Sequence, residues 1–155
     1  MRLSSLADYA VLMMSAAARH CGAAKVNATT LAAETGIPLP TAQKLVNRLS
    51  SAGLFESTRG TGGGVRLARP PAAISLADIV EAVEGPIAMT ACVDTSRHDC
   101  ALEGGCAVRP HMSIVNTVIR DALSSVTLAQ LSRTPAQADA RDHGRAPAFA
   151  GEQVQ

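Results

Sequence analysis

Four glycines in five residues, Gly60-Thr61-Gly62-Gly63-Gly64, limit the fold of this chain more than any other feature. Glycine loses the most backbone freedom on ordering and offers no side chain to pack, so such a run does not sit inside a helix or strand. It reads as the tip of a hairpin. Phe55 to Arg59 and Val65 to Ala68 are the two short strands that it joins. A nucleotide-binding glycine loop is excluded by context: no Lys-Ser/Thr pair follows and no helix starts at the run.

The segments around the hairpin are helical. From Arg2 to His20, Leu3, Leu6, Ala7, Ala10, Val11, Met14 and Ala17 recur at helical spacing, and Gly22 is a stop. Asn27 or Thr29 caps a short helix, Thr30 to Thr35, that ends at Gly36. Pro40 suits the first turn of a helix that runs through Ala42, Leu45, Val46 and Leu49 to Gly53. In Leu31-Ala32-Ala33-Glu34-Thr35-Gly36-Ile37 the small Ala32 permits close approach and Gly36 a tight turn, the pattern of a helix-turn-helix. After the hairpin, Ser75 caps a helix with the apolar face Leu76, Ile79, Val80 and Val83, which stops at Gly85-Pro86. Residues 88–107 lack periodicity and hold three cysteines. Val108, His111, Met112, Val115, Val118, Ile119, Ala122 and Val126 then form a stripe on a long helix, and Leu128 to Leu131 a last turn. The expected fold is mainly α: a winged helix-turn-helix at 1–86, a cysteine loop at 87–107, a dimerisation helix and terminal turn at 108–133, and a disordered tail at 134–155.

Composition narrows the function. Of the 155 residues 47% are hydrophobic but only 2% aromatic, so a surface that stacks single-stranded bases is not expected. The net charge of +1 averages two unlike halves. Residues 1–70 carry eight bases against three acids, a balance of +5, and residues 71–155 carry six against ten, a balance of −4. A basic N-terminal module is the charge pattern of a duplex binder. The exposed face of the Pro40–Ser51 helix offers Thr41, Gln43, Lys44, Asn47 and Arg48. Gln pairs bidentately with adenine, whereas Lys44 and Arg48 suit phosphates. Arg59 flanks a tip, Gly62-Gly63, whose lack of side chains permits close approach to a sugar–phosphate backbone. With Arg2, these are the candidate DNA contacts.

No apolar run has the length of a membrane span and no stretch reads as a signal peptide, so a cytoplasmic protein is expected. Its cysteines are then metal ligands, reactive thiols or core residues rather than disulfides. Cys92, Cys100 and Cys106 are separated by seven and five residues, looser than the Cys-x-x-Cys pairs of structural zinc sites. Soft thiolates at this spacing suit an iron–sulfur cluster, zinc or copper(I). Cys21, far off in sequence, is expected to be a small buried hydrophobe. No Cys-x-x-Cys, Ser/His/Asp pattern or metalloprotease motif supports an enzyme.

Taken together, these motifs resemble the IscR, NsrR and RirA type of winged-helix regulator, the Rrf family. The resemblance is carried by Met1-Arg2-Leu3 with Asp8-Tyr9-Ala10, by Arg59-Gly60 and Gly62-Gly63-Gly64, by Ile74-Ser75-Leu76-Ala77-Asp78-Ile79 and by the three cysteines. It spans roughly residues 1–133. Glu84-Gly85-Pro86-Ile87 and Cys106-Ala107-Val108-Arg109-Pro110-His111 look closest to the branch that regulates SUF iron–sulfur cluster assembly. The resemblance implies a homodimeric repressor that binds operator DNA and senses a 2Fe-2S or 4Fe-4S cluster on Cys92, Cys100 and Cys106. A nitric-oxide- or iron-responsive repressor and a zinc-stabilised regulator are the alternatives. IscR-like members carry a histidine three residues after the last cysteine; here that position is Arg109, which cannot ligate. In NsrR-like members an acid on the first helix reaches the partner's cluster, which makes Asp8 the candidate fourth ligand and His111 the alternative. His98, Asp94, Asp99 and Glu103 are further donors.

Overall fold

A computed structural model of the chain describes residues 3–21, 25–93 and 105–133; of Cys92 it describes the backbone alone. The first helix, α1 (Ser5–Arg19), is capped by Ser4, whose side chain accepts from the Ala7 amide. Every residue from Met13 to Ala18 is buried, so α1 is apolar on most of its circumference and serves as the central helix of the domain. The sequence stripe on α1 had only one face.

Asn27 caps α2 (Ala28–Thr35) by accepting from Thr30, and Gly36 ends it in the left-handed conformation. The sequence left Asn27 and Thr29 as alternative caps and started the helix two residues late. The turn leads to α3 (Leu39–Ser51), which buries Ala42, Leu45 and Leu49. The first strand, β1 (Phe55–Thr58), pairs antiparallel with β2 (Gly64–Leu67) in the register Phe55 to Leu67. On its other edge β2 bridges Val26, with Val65 N donating to Val26 O at 2.7 Å and Val26 N to Val65 O at 3.1 Å. The wing is thereby tied to the chain ahead of α2.

Ser75 and Asp78 form a reciprocal capping box on α4 (Leu76–Glu84). α4 packs on α1, α3 and the long helix α5 (Arg109–Ser125). A short helix, α6 (Leu128–Leu131), follows and buries Leu128 completely. Leu76 N donates to Val126 O and Leu128 N to Ile74 O, both at 2.8 Å. The terminal turn, grouped with the long helix at the level of sequence, is therefore docked on the winged module. Val126 has extended backbone beyond α5 and is not part of its stripe.

One core joins the N-terminal helices, the wing and α6, with Met13, Met14, Leu31, Leu45, Leu49, Leu54, Ile74, Ile79 and Leu128 fully buried. By contrast α5 has no buried residue. Among the described residues, no helix is long and apolar enough to cross a membrane.

Candidate nucleic-acid interface and cysteine connection

The candidate interface begins with α3. Its buried residues recur at three and four positions, which turns Gln43, Lys44 and Asn47 out to solvent. Thr41, in the first turn, is half-buried. Among the described residues, Gln43, Lys44 and Asn47 have no side-chain partner. They keep their hydrogen-bonding capacity for something outside the chain.

Arg48 differs from them. Exposed like them, it also donates from Nη1 to the Val83 carbonyl at 2.6 Å. Val83 lies in the last turn of α4, where carbonyls lack intrahelical partners and the helix dipole favours a cation. That pull turns Arg48 toward α4.

The wing sorts its cations in the same way. Arg66 is held by the cross-strand Glu56 at 2.6 Å. Lys25 donates to the Thr58 hydroxyl at 2.8 Å. Arg69 donates to Ala73 O at 3.2 Å and lies 3.7 Å from Asp78. Arg59, at the base of the tip, is exposed and has no partner among the described residues. Lys44 and Arg59 are thus the uncommitted cations of α3 and the wing.

The glycines of the tip have distinct reasons. A Cβ on Gly63 would lie 2.8 Å from Gly60 O and closer still to Thr58 O. On Gly64 it would lie 2.9 Å from Val26 O, so the bridge that ties the wing to Val26 needs a residue without a side chain. Gly62 is exposed at the tip with φ 77°. Arg2 lies outside the described residues.

The expected cluster site is described only in part. Cys100 lies outside the described residues, as do His98, Asp94, Asp99 and Glu103, and of Cys92 only the backbone is described, in a short 3-10 turn at Ala91–Val93. Cys106 is a free, partly exposed cysteine just before α5. Arg109 N donates to Cys106 O at 3.3 Å, which places Arg109 in the first turn of α5. Its N-cap residue, Val108, gives no side-chain cap. Among the described residues, no three His, Cys, Asp or Glu side chains converge as a metal site. Asp8 is exposed in the first turn of α1, and His111 is exposed in the first turn of α5. Cys21, expected in the core, is exposed: the chain turns outward past the end of α1, with Cys21 N bonded to Ala18 O at 3.1 Å.

The approach to the cysteines is well held. Asn116 on α5 accepts from Met89 N at 3.0 Å and donates to Ile87 O at 2.9 Å. Glu81 on α4 accepts from Arg120 at 3.0 and 3.3 Å and from Ile87 N at 3.4 Å. The hydrogen bond to Glu81 raises the Arg120 pKa further above its ordinary value, so the guanidinium stays charged. Sequence reasoning passed over Glu81, Asn116 and Arg120. The Glu-Arg pair is long-range, and a lone Asn on a helix gives no signal of the loop it holds.

A family model described as Rrf2, iron-dependent transcriptional regulator, matches residues 3–134. The transcriptional regulator IscR of Vibrio cholerae is 33% identical over 131 residues, which are 84% of this chain and 75% of that protein. Among solved structures, IscR of T. potens superposes with a TM-score of 0.64 at 27% identity, over 96% of this chain and 95% of that one. CymR, the global cysteine regulator of B. subtilis, superposes with a TM-score of 0.66 at 26% identity, over 85% of this chain and 96% of that one.

Proposed function

The chain belongs to the Rrf2 family of DNA-binding transcriptional regulators, and from that premise we propose that it is a cytoplasmic homodimeric repressor controlled by an iron–sulfur cluster. Thr41, Gln43, Lys44 and Asn47 of α3 read and hold the major groove, while Arg59, the Gly62-Gly63 tip and Arg2 meet the adjacent backbone or minor groove. Arg48, exposed on the same helix, is assigned to Val83 in place of a phosphate, since one of its N–H groups is engaged there. The exposed apolar face of α5, with Ile114, Val115 and Val118, supports a second copy as its cover.

The observation that carries the cluster reading is three cysteines in the one connection between α4 and α5. α4 is also one of the helices on which the recognition helix packs. The donor set fits: three soft thiolates leave one position for a further ligand, and Arg109 at the point where relatives carry a histidine directs the choice to Asp8 of the partner subunit. A bound 2Fe-2S or 4Fe-4S cluster would supply oxygen- and nitric-oxide-labile iron bonds. The chain's own residues would convert that lability into a change of DNA affinity, limited to the difference in cluster stability between the two conformations. Glu84 to Ile87 and Cys106 to His111 support SUF cluster-assembly genes as targets.

The test is iron and sulfide analysis with visible spectra on anaerobically purified full-length protein. Each of Cys92→Ala, Cys100→Ala and Cys106→Ala abolishes the absorbance; Asp8→Ala keeps a cluster but shortens its lifetime in air. Cysteine variants that retain iron and sulfide would refute the site. A change of lifetime in His111→Ala, with none in Asp8→Ala, moves the fourth ligand to His111.

A further inference from the structure

We infer that Arg48 is a positioning residue that couples the recognition helix to the segment feeding the cysteine connection. The recognition helix packs on α4 and is hydrogen-bonded to its last turn by Arg48, whose Nη1 donates to Val83 O at 2.6 Å, a charge-assisted bond. Arg48 and Glu81 both line a surface groove between α3 and α4, together with Asn47, Ser51, Ala52 and Ala82. Glu81, half a turn before Val83, holds the other side of the same junction: it accepts from Ile87 N and from Arg120 of α5.

The chain leaving α4 is grasped twice more. Asn116 receives Met89 N and gives to Ile87 O, so residues 87–89 are hydrogen-bonded to both flanking helices immediately before the turn that bears Cys92. A shift of residues 87–89 must break or carry with it the bonds to Glu81 and Asn116. Where the bonds are carried along, Glu81 takes with it the end of α4 to which Arg48 is attached; where they break, that end loses the partners that held it. Short hydrogen bonds between packed helices favour discrete arrangements over graded ones, which is the physical basis for transmission of this kind. The exposed Lys44, one turn earlier on α3, has no such bond among the described residues.

The inference rests on the DNA-binding reading; the cluster reading enters only as the source of the movement and is tested separately by iron and sulfide content. The experiment uses a duplex selected by wild-type protein from a randomised pool. Its affinity is measured over a range of salt for wild type, Arg48→Ala, Arg48→Lys, Asn116→Ala and the Arg48→Ala/Asn116→Ala double variant. Arg48→Ala and Asn116→Ala each weaken binding, by about 2- to 30-fold, with the salt slope unchanged. The double variant is no weaker than the weaker single one, and Arg48→Lys, which keeps a cationic donor, recovers part of the loss. Amide exchange reads the same coupling without DNA: Asn116→Ala speeds exchange in α3 when Arg48 is present and not when it is Ala. A salt slope lowered by about one unit in Arg48→Ala would make Arg48 a phosphate contact after all. Additive effects of the two substitutions, or α3 exchange that ignores Asn116, would equally overturn the coupling, whatever the protein holds at its cysteines.

Discussion

The third and fifth helices are both amphipathic, yet they end in opposite states. α3 places Ala42, Leu45 and Leu49 against α2, α4 and β1 and buries all three. α5 is longer and has no fully buried residue: Met112, Ile119 and Leu123 are half-buried, while Ile114 is 64% exposed and Val118 59%. Its inner side meets α4 through the Glu81–Arg120 pair and the segment after α4 through Asn116. A periodic stripe thus tells that a helix has an apolar face, but not whether the same chain covers it. The winged module closes its core within one chain, whereas α5 leaves Ile114, Val115 and Val118 exposed.

The largest effect should come from the closed side of that comparison. Leu45→Ala removes a completely buried side chain between α3 and the rest of the core, and large-to-small substitutions of this kind cost about 2–5 kcal/mol. Chemical denaturation should register that loss with little change in the slope. A loss under about 1 kcal/mol would mean that the core around α3 repacks freely and is no better closed than the face of α5.

The open side is broken by charge. Val118→Glu places a carboxylate in the middle of the exposed α5 face, next in the stripe to Ile114 and Val115. A homodimer built on that face should become a monomer in sedimentation velocity, with the secondary structure of the winged module retained. Operator binding should fall with it, since a single half-site contact replaces two. If Val118→Glu sediments as wild type does, the partner of α5 is not a second copy.

How much of this was legible depends on the range of the interaction. The helix-turn-helix, the wing and the caps at Asn27 and Ser75 follow from local signals (helical spacing, capping side chains and turn glycines), and the structure has them where the sequence put them or within two residues. The burial of every residue from Met13 to Ala18 in α1 was not legible, because α1 packs against elements far along the chain, α4 and α6. Nor was the docking of α6, whose pairing with the start of α4 joins Ser75 to Thr127. For the candidate site, residue identity located the exposed face of α3 but not the commitments of its side chains. Arg48 and Lys44 have the same charge sign and lie on the same helix; only the fold reveals that a carbonyl of α4 has claimed one of them.

The smallest predicted effect probes this distinction on the wing. Arg59 and Arg66 are both exposed cations of the hairpin, seven positions apart. Arg66 is neutralised by Glu56, directly opposite it across the strands, at 2.6 Å. Exposed pairs of this kind contribute about 0.2–1 kcal/mol, so Arg66→Ala should lower stability slightly and leave DNA affinity nearly as it was. Arg59 has no such partner among the described residues and stands beside a tip that Gly63 keeps tight. If it neutralises one phosphate, Arg59→Ala releases one counterion fewer, and the slope of log affinity against log salt falls by about one unit. The two variants should therefore separate cleanly in titrations at several salt concentrations. Equal slopes for Arg59→Ala and Arg66→Ala would place the wing tip away from the duplex and leave α3 as the contact surface.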